Sequence, residues 1–189
     1  ADASVWTFKI RSGVEFHNGK TLSVEDVVAS LNHHLGEDSK SAAKGILAGI
    51  DSVKADGKNH VAVALKGGNA DFPFMLSDYH INICPSNGDG TIDWQSGVGT
   101  GGYVIAEHDP GVRTLTKSNP NYWKDGAAHF DEVETIQIGD TSARTSALMT
   151  GAVDAIANAD LKTINLLKRN PEMAVRSTTG NKQITLPMI

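Results

Sequence analysis

A strand, a tight turn and a capped helix follow one another between Trp6 and Val28, and that succession constrains the fold more than any other stretch of the chain. Trp6, Phe8 and Ile10 alternate with Thr7, Lys9 and Arg11, the two-residue period of a strand with one covered face. Asn18-Gly19 is a turn dipeptide. Ser23 precedes Val24-Glu25-Asp26. An N-cap hydroxyl accepts from the backbone amide three residues on, and an acid at that third position can return the bond, so Ser23 reads as a cap and Asp26 as its capping-box partner. Val27, Val28 and Leu31 supply the apolar face of the helix that follows.

Beyond Leu35 the segment Gly36-Glu37-Asp38-Ser39-Lys40-Ser41 reads as a polar loop, and Ser41 as the cap of a second short helix reaching Ile50. Alternation at Val61, Val63 and Leu65, with Asp56-Gly57 between them and Ile50 to Val53, predicts a hairpin turning through residues 54 to 59. Ala70 to Asp78 reads as a short helix with Pro73 in its first turn, and Ile81 to Cys84 as a strand. Residues 86 to 102 are the most glycine-rich part and the expected boundary between subdomains. After it come a hairpin through Asp109-Pro110-Gly111 and a strand around Val133, Ile136 and Ile138. Helices are expected over Thr141 to Thr150 and Asp160 to Arg169, each stopped by the Gly151 or Asn170-Pro171 that follows. The chain enters its first strand almost at once and closes on a strand-like apolar segment, Gln183 to Ile189, so both ends read as cut from something longer. The mixture of hairpins and helices makes the fold class α+β (mixed α/β).

Composition removes several functions. A net charge of −5, with Lys168-Arg169 the longest basic cluster, argues against a nucleic-acid surface, because phosphate binding needs clustered Lys and Arg. No apolar run approaches the roughly 20 residues of a membrane-spanning helix. Cys84 is alone, so no intrachain disulfide forms, which is neutral as to compartment. It reads as a buried, inert thiol.

Three constellations imitate chemistry. Gly97-Val98-Gly99-Thr100-Gly101-Gly102 nearly spells a dinucleotide loop, but such a loop needs a strand before it and a helix after. Here Asp93-Trp94-Gln95-Ser96 precedes and the strand from Tyr103 follows, so a tight turn between subdomains is expected. Asn87 to Asp93 imitates the middle of a calcium loop, yet Pro85 and Ser96 fall at the first and twelfth ligand positions, where carboxylates are required. His33 and His34 are adjacent and point about 100° apart on a helix, so they converge poorly on one metal; they read as a partly exposed helix end. No nucleophile elbow or recognisable triad is present, and Glu25, Asp26 and Asp154 have structural work available in a cap or a strand end. The sequence therefore names no catalytic residue, no metal ligand and no cofactor.

Four motifs in order resemble one family. Arg11-Ser12-Gly13-Val14-Glu15-Phe16-His17-Asn18-Gly19, followed by the Val24-Glu25-Asp26-Val27 helix, is similar to a signature of the extracellular solute-binding proteins, family 5, which serve dipeptide, oligopeptide and nickel ABC importers. Gly99-Thr100-Gly101-Gly102-Tyr103 resembles the family's G-T-G-P-[YF] turn with Gly102 in place of proline, which loosens that turn by removing proline's restraint on φ. Asn119-Pro120-Asn121-Tyr122-Trp123 resembles its N-P-x-Y-W element. Asp131-Glu132-Val133 and Gly151-Ala152-Val153-Asp154-Ala155 resemble its D-x-[VI]…G-x-x-D-[AI] run. His17, inside the first motif, has a structural hydrogen-bonding role by default.

The resemblance implies a lobe of the periplasmic-binding-protein type II fold. Residues 1–95 would form the inserted subdomain of the first lobe and 96–189 part of its core subdomain, with the second lobe outside this chain. It implies a periplasmic or lipid-anchored extracellular protein, monomeric at full length, that captures a peptide or other small solute and hands it to an ABC permease. Ligand contacts are expected from the loop holding Asp38, Ser39 and Ser41, and from Tyr79, His80 and Asn82. Trp6, Tyr103 and Trp123 are expected in the core rather than as ligand platforms. The rival readings are a hydrolytic or metal-dependent enzyme domain of α+β fold, or an interaction module that docks on a permease or self-associates.

Overall fold

A computed structural model describes residues 2–177, and the apolar segment Gln183 to Ile189 lies outside them. The described residues fall into two compact units that divide between Thr135 and Ile136.

In the first unit, β1 (Val5–Lys9) and β2 (Ile50–Ala55) flank β3 (His60–Leu65) in an antiparallel sheet of order β1-β3-β2. Trp6 pairs with Val63 and Phe8 with Val61, so the alternation expected at the start of the chain meets the alternation of the central strand on the same face. That face carries Val61, Val63 and Leu65, all buried, and α1 (Val24–His33) covers it through Val24 and Leu31. Leu47, Ile50, Val53 and Phe72 complete the core. Fully burying a side chain of this kind contributes about 1.5–3 kcal/mol, so this layer is the stable foundation of the unit. Trp6 packs on the core edge beside Phe8 with ring centroids 6.4 Å apart, and its indole N–H donates to the Asn69 carbonyl at 3.1 Å.

Local chemistry explains the entry to α1. Ser23 accepts from the Asp26 amide, and the Asp26 carboxylate accepts from the Ser23 amide, the reciprocal capping box. Before it, Phe16 and Lys20 close a turn across Gly19, whose φ of +82° lies where only glycine sits without strain.

A second antiparallel sheet, order β4-β5-β6, is formed by β4 (Tyr103–Asp109), β5 (Arg113–Ser118) and β6 (Glu132–Ile136). The β4–β5 hairpin turns at Gly111 (φ +75°), and Arg113 bridges Glu107 and Glu134 across the sheet. The unit beyond Thr135 holds α3 (Thr141–Met149), capped by Asp140, and α4 (Ile164–Arg169). The short α2 (Phe72–Met75), with its early proline, lies in the first unit.

Several expectations fail for physical reasons. Ser41 to Ile50 is a chain of turns, not a helix. Its bonds mix three-residue steps (Lys44 to Ser41, Ile50 to Leu47) with one four-residue step (Leu47 to Ala43), and Gly45 and Gly49 each cost about 1 kcal/mol in a helix interior. Ile81 to Cys84 is not a strand, because the amide and carbonyl of Cys84 both bond the Ser30 hydroxyl instead of a neighbouring strand. The last helix begins at Ile164 rather than Asp160, and β6 ends at Ile136, short of Ile138. Trp123 is not core: it is 39% exposed, with the Arg11 guanidinium 4.7 Å from its ring centroid.

Candidate functional site

Three buried polar residues lie four apart on α1 and its C-cap: Asp26, Ser30 and His34. Steps of four advance only about 40° around a helix, so they form one polar stripe beside the apolar face. Each fastens a different piece of chain. Asp26 receives Lys20 Nζ at 2.5 Å and the Ser86 amide at 2.7 Å on one oxygen, and the amide and hydroxyl of Ser23 on the other. Ser30 holds Cys84 by both backbone groups. His34 Nδ1 lies 2.6 Å from the Ser41 hydroxyl, which also accepts from the Ala43 amide.

Fixed in this way, the loop after α1 and the segment up to Cys84 become two sides of an open groove of about 1290 Å³. A third side comes from Ile92, Trp94 and the glycine-rich run Gly97 to Gly101. Asp38, Ser39, Ser41, His80 and Asn82 all line it, whereas Tyr79 does not. Tyr79 is 81% exposed, and its ring lies against His80 with centroids 3.8 Å apart. The Ser39 hydroxyl donates to the His33 carbonyl, and Asn82 Nδ2 donates to the Tyr79 carbonyl. Asp38 is exposed. His80 Nδ1 faces Asp78 Oδ1 at 2.7 Å, and both the backbone and side-chain bonds from His80 hold that carboxyl below its usual range.

The electrostatics of the stripe follow from burial. Burial alone would raise the Asp26 carboxyl, but hydrogen bonds from Lys20, Ser86 and Ser23 outweigh it and leave the group below the usual carboxylate range. His34 is pushed down by burial first, then by the nearby His33 and His80, which keeps it neutral. Its Nε2 is buried with no hydrogen-bond partner among the described residues. The pair His33–His34 is therefore not uniformly at a partly exposed helix end: His33 is exposed and His34 is only 6% exposed. Burial, followed by the charge of Asp93, pushes the Cys84 thiol up, so it is a poor nucleophile.

The remaining look-alikes resolve locally. The run Gly97 to Gly102 leads into β4 rather than a helix. Asp89 accepts from the amide and hydroxyl of Thr91, closing a turn inside the Ser86–Ile92 bridge. Gly102 has a packing reason to lack a side chain: a Cβ there would lie 3.0 Å from the Ala128 Cβ and 3.1 Å from the Tyr122 ring. Among the described residues no group of three or more His, Cys, Asp or Glu is arranged to hold a metal, and no helix is long and apolar enough to cross a membrane. The groove presents polar side chains and one exposed indole on segments tied by hydrogen bonds to α1 and to His17.

Comparison with known proteins bears on family and fold. The family model for bacterial extracellular solute-binding proteins, family 5 (middle region), matches residues 1–188. The protein YhjP of Bacillus subtilis (strain 168) is 31% identical over 131 residues, 69% of this chain and 21% of that protein. The oligopeptide-binding protein AppA of the same organism is 26% identical over 156 residues, covering 77% of this chain and 28% of AppA. Among solved structures, the binding protein AgaA from A. tumefaciens R10, in complex with agropinic acid, superposes with a TM-score of 0.81 at 27% identity, over 90% of this chain and 35% of that one. The fold is thus the mixed α/β one of periplasmic binding proteins of type II, of which this chain spans about a third of the length. With a family match across nearly all of its residues, the chain belongs to the bacterial extracellular solute-binding proteins, family 5.

Proposed function

We propose that this chain supplies one face of the solute cleft of an ABC importer's binding protein. The groove takes a peptide or similar small solute, a second lobe closes over it by hinge motion, and the loaded protein docks on a membrane permease. The carrying observation is the convergence of three separate segments on one groove, each tied down through the buried stripe of α1 or through His17. A site built this way is preorganised, which lowers the cost of ordering on binding. At about 1290 Å³ it exceeds the ~300–1,000 Å³ common for drug-sized ligands, room suited to an extended molecule. The name of AppA points to oligopeptides and the complex of AgaA to agropinic acid, so solutes carrying carboxylates and amides are the class to test first.

On this reading residues 1–95 are the inserted subdomain and 96–189 part of the core subdomain of the first lobe. The two three-stranded sheets on either side of the glycine-rich segment support that division. Asp38, Ser39, Ser41, His80 and Asn82 offer polar contacts, and Trp94, 59% exposed on the groove wall, offers an aromatic platform. Tyr79 contributes by bracing His80. The protein works outside the cytoplasmic membrane, periplasmic or lipid-anchored, and performs no chemistry on its solute.

Nuclear magnetic resonance titration with a tripeptide, a pentapeptide and agropinic acid at millimolar concentration tests this reading. Shift changes confined to residues 32–42, 80–84 and 92–101 are expected, and weak, because a single face buries only part of a solute. Changes centred on β4–β6, or none with any of the three, would overturn it.

A further inference from the structure

One residue makes three of the hydrogen bonds that fasten the glycine-rich wall of the groove. His17, in the turn before α1, makes three hydrogen bonds to it across more than eighty residues of sequence. Its amide donates to the Gly99 carbonyl at 2.9 Å. Its Nδ1 accepts from the Gly99 amide at 3.2 Å, and its Nε2 lies 3.0 Å from the Gly101 carbonyl. Both backbone groups of Gly99 are thus satisfied by His17. Two further side chains hold the same run: Ser96 accepts from the Val98 amide, and Asn119 Nδ2 donates to the Gly101 carbonyl that His17 Nε2 also bonds.

These partners fix the protonation of the ring. An amide N–H can only donate, so Nδ1 must present its lone pair. A carbonyl can only accept, so Nε2 must carry the proton. Only the neutral Nε2–H imidazole satisfies both. A second proton would set N–H against N–H at Gly99 and lose that bond. The ring is half-buried, so protons reach it.

We propose that His17 is the positioning residue of the Gly97–Gly101 wall, and that its neutral form holds the Gly99 amide while a second ring proton breaks that one bond. Resting on the solute-binding reading, this ties the Gly99 side of the groove to the unprotonated ring. The sign is unambiguous, since the bonded form is the unprotonated one. Other charged groups lie nearby. Glu15 and Lys20 share the turn, but Glu15 accepts from Asn121 and Lys20 is held by Asp26 and the Ser86 carbonyl. From the other sides of the groove come His33, His34, Glu37, Asp38, Lys40, His80 and Cys84. A bulk pH profile of binding would mix all of these, so the test reads Gly99 itself.

Amide hydrogen exchange at Gly99, corrected for the intrinsic pH dependence of exchange, is measured from about pH 8 to about pH 5 alongside the ¹⁵N shifts of the His17 ring. In the unsubstituted protein Gly99 protection should fall about tenfold on acidification, the size of one lost hydrogen bond, while Val61 and Val63 in β3 stay constant. His17→Gln, whose amide can accept and donate but does not titrate, should keep protection at Gly99 and abolish its pH dependence. His17→Ala should lack protection throughout. Protection at Gly99 that is flat with pH in the unsubstituted protein, or ring shifts showing a proton on Nδ1 at neutral pH, would overturn the proposal; the ring shifts decide even if His17→Ala does not fold. Neither readout uses a solute, so a negative solute titration with a positive result here would remove the binding reading and leave the clasp standing.

Discussion

Asp26→Asn is the sharpest perturbation of the framework beneath the groove. The carboxylate is fully buried and accepts four hydrogen bonds, two from Ser23 and one each from Lys20 and Ser86. Asparagine keeps one oxygen and turns an NH₂ toward one pair of donors. If the NH₂ faces Ser23, the hydroxyl can rotate to accept, but the Ser23 amide is left without a partner, which costs about 1–3 kcal/mol. If it faces Lys20 and Ser86, two donors are stranded, which costs more. The first orientation therefore wins. Loss of the charge opposite Lys20 adds to it, but the lysine side chain is 40% exposed and can be hydrated, so this part lies nearer ~1 kcal/mol than the 3–5 of a fully buried pair. The expected destabilisation is about 2–4 kcal/mol, measured by urea unfolding followed by circular dichroism. A change below about 1 kcal/mol would refute the reasoning. The pH dependence checks it separately. Because the native carboxyl sits below its ordinary 3.8, its contribution is complete above that value and is lost as the pH falls through the lowered native one. The gap between the two proteins should narrow only in acid below about pH 4.

Other substitutions read other parts of the structure. Ser30→Ala leaves the amide and carbonyl of Cys84 without their partner; a loss of about 2 kcal/mol is expected, with faster alkylation of the thiol by iodoacetamide, and unchanged alkylation would contradict the tie. Gly102→Ala should cost about 1–3 kcal/mol by crowding Tyr122 and Ala128. Ala128→Gly should offset part of that cost, since it removes both the opposing Cβ and a side chain held at φ +58°; additivity in a double-mutant cycle would contradict the packing account. Gly19→Ala should destabilise by about 1 kcal/mol through backbone strain at φ +82° alone, since the added methyl would meet no atom within 4 Å; a neutral result in thermal unfolding would show that the turn relaxes.

Interactions between near neighbours were legible in the sequence. The Ser23–Asp26 box, the Asn18-Gly19 turn and the hairpins at Gly57 and Gly111 rest on residues a few positions apart, and the structure reproduces them. The half of Asp26's work that reaches Lys20 and Ser86 was not legible, because those partners meet it only after folding. A signal was nevertheless present: Asp26, Ser30 and His34 recur every four residues beside Val27, Val28 and Leu31, a polar stripe where a helix face should be apolar. The same blind spot explains Ile81 to Cys84, whose alternation suggests a strand while Ser30 occupies its backbone. It also hides Trp94, which looks like an ordinary loop residue until the glycine-rich run folds beside it.

Photo-crosslinking tests the central claim most directly: that this groove is where the solute lies. A tripeptide carrying benzoylphenylalanine is irradiated with the protein, and the attachment sites are read by mass spectrometry. The account predicts adducts within residues 32–42, 80–84 and 92–101, suppressed by excess unlabelled peptide. Adducts on β4–β6 or α3, or adducts that excess peptide does not suppress, would contradict it.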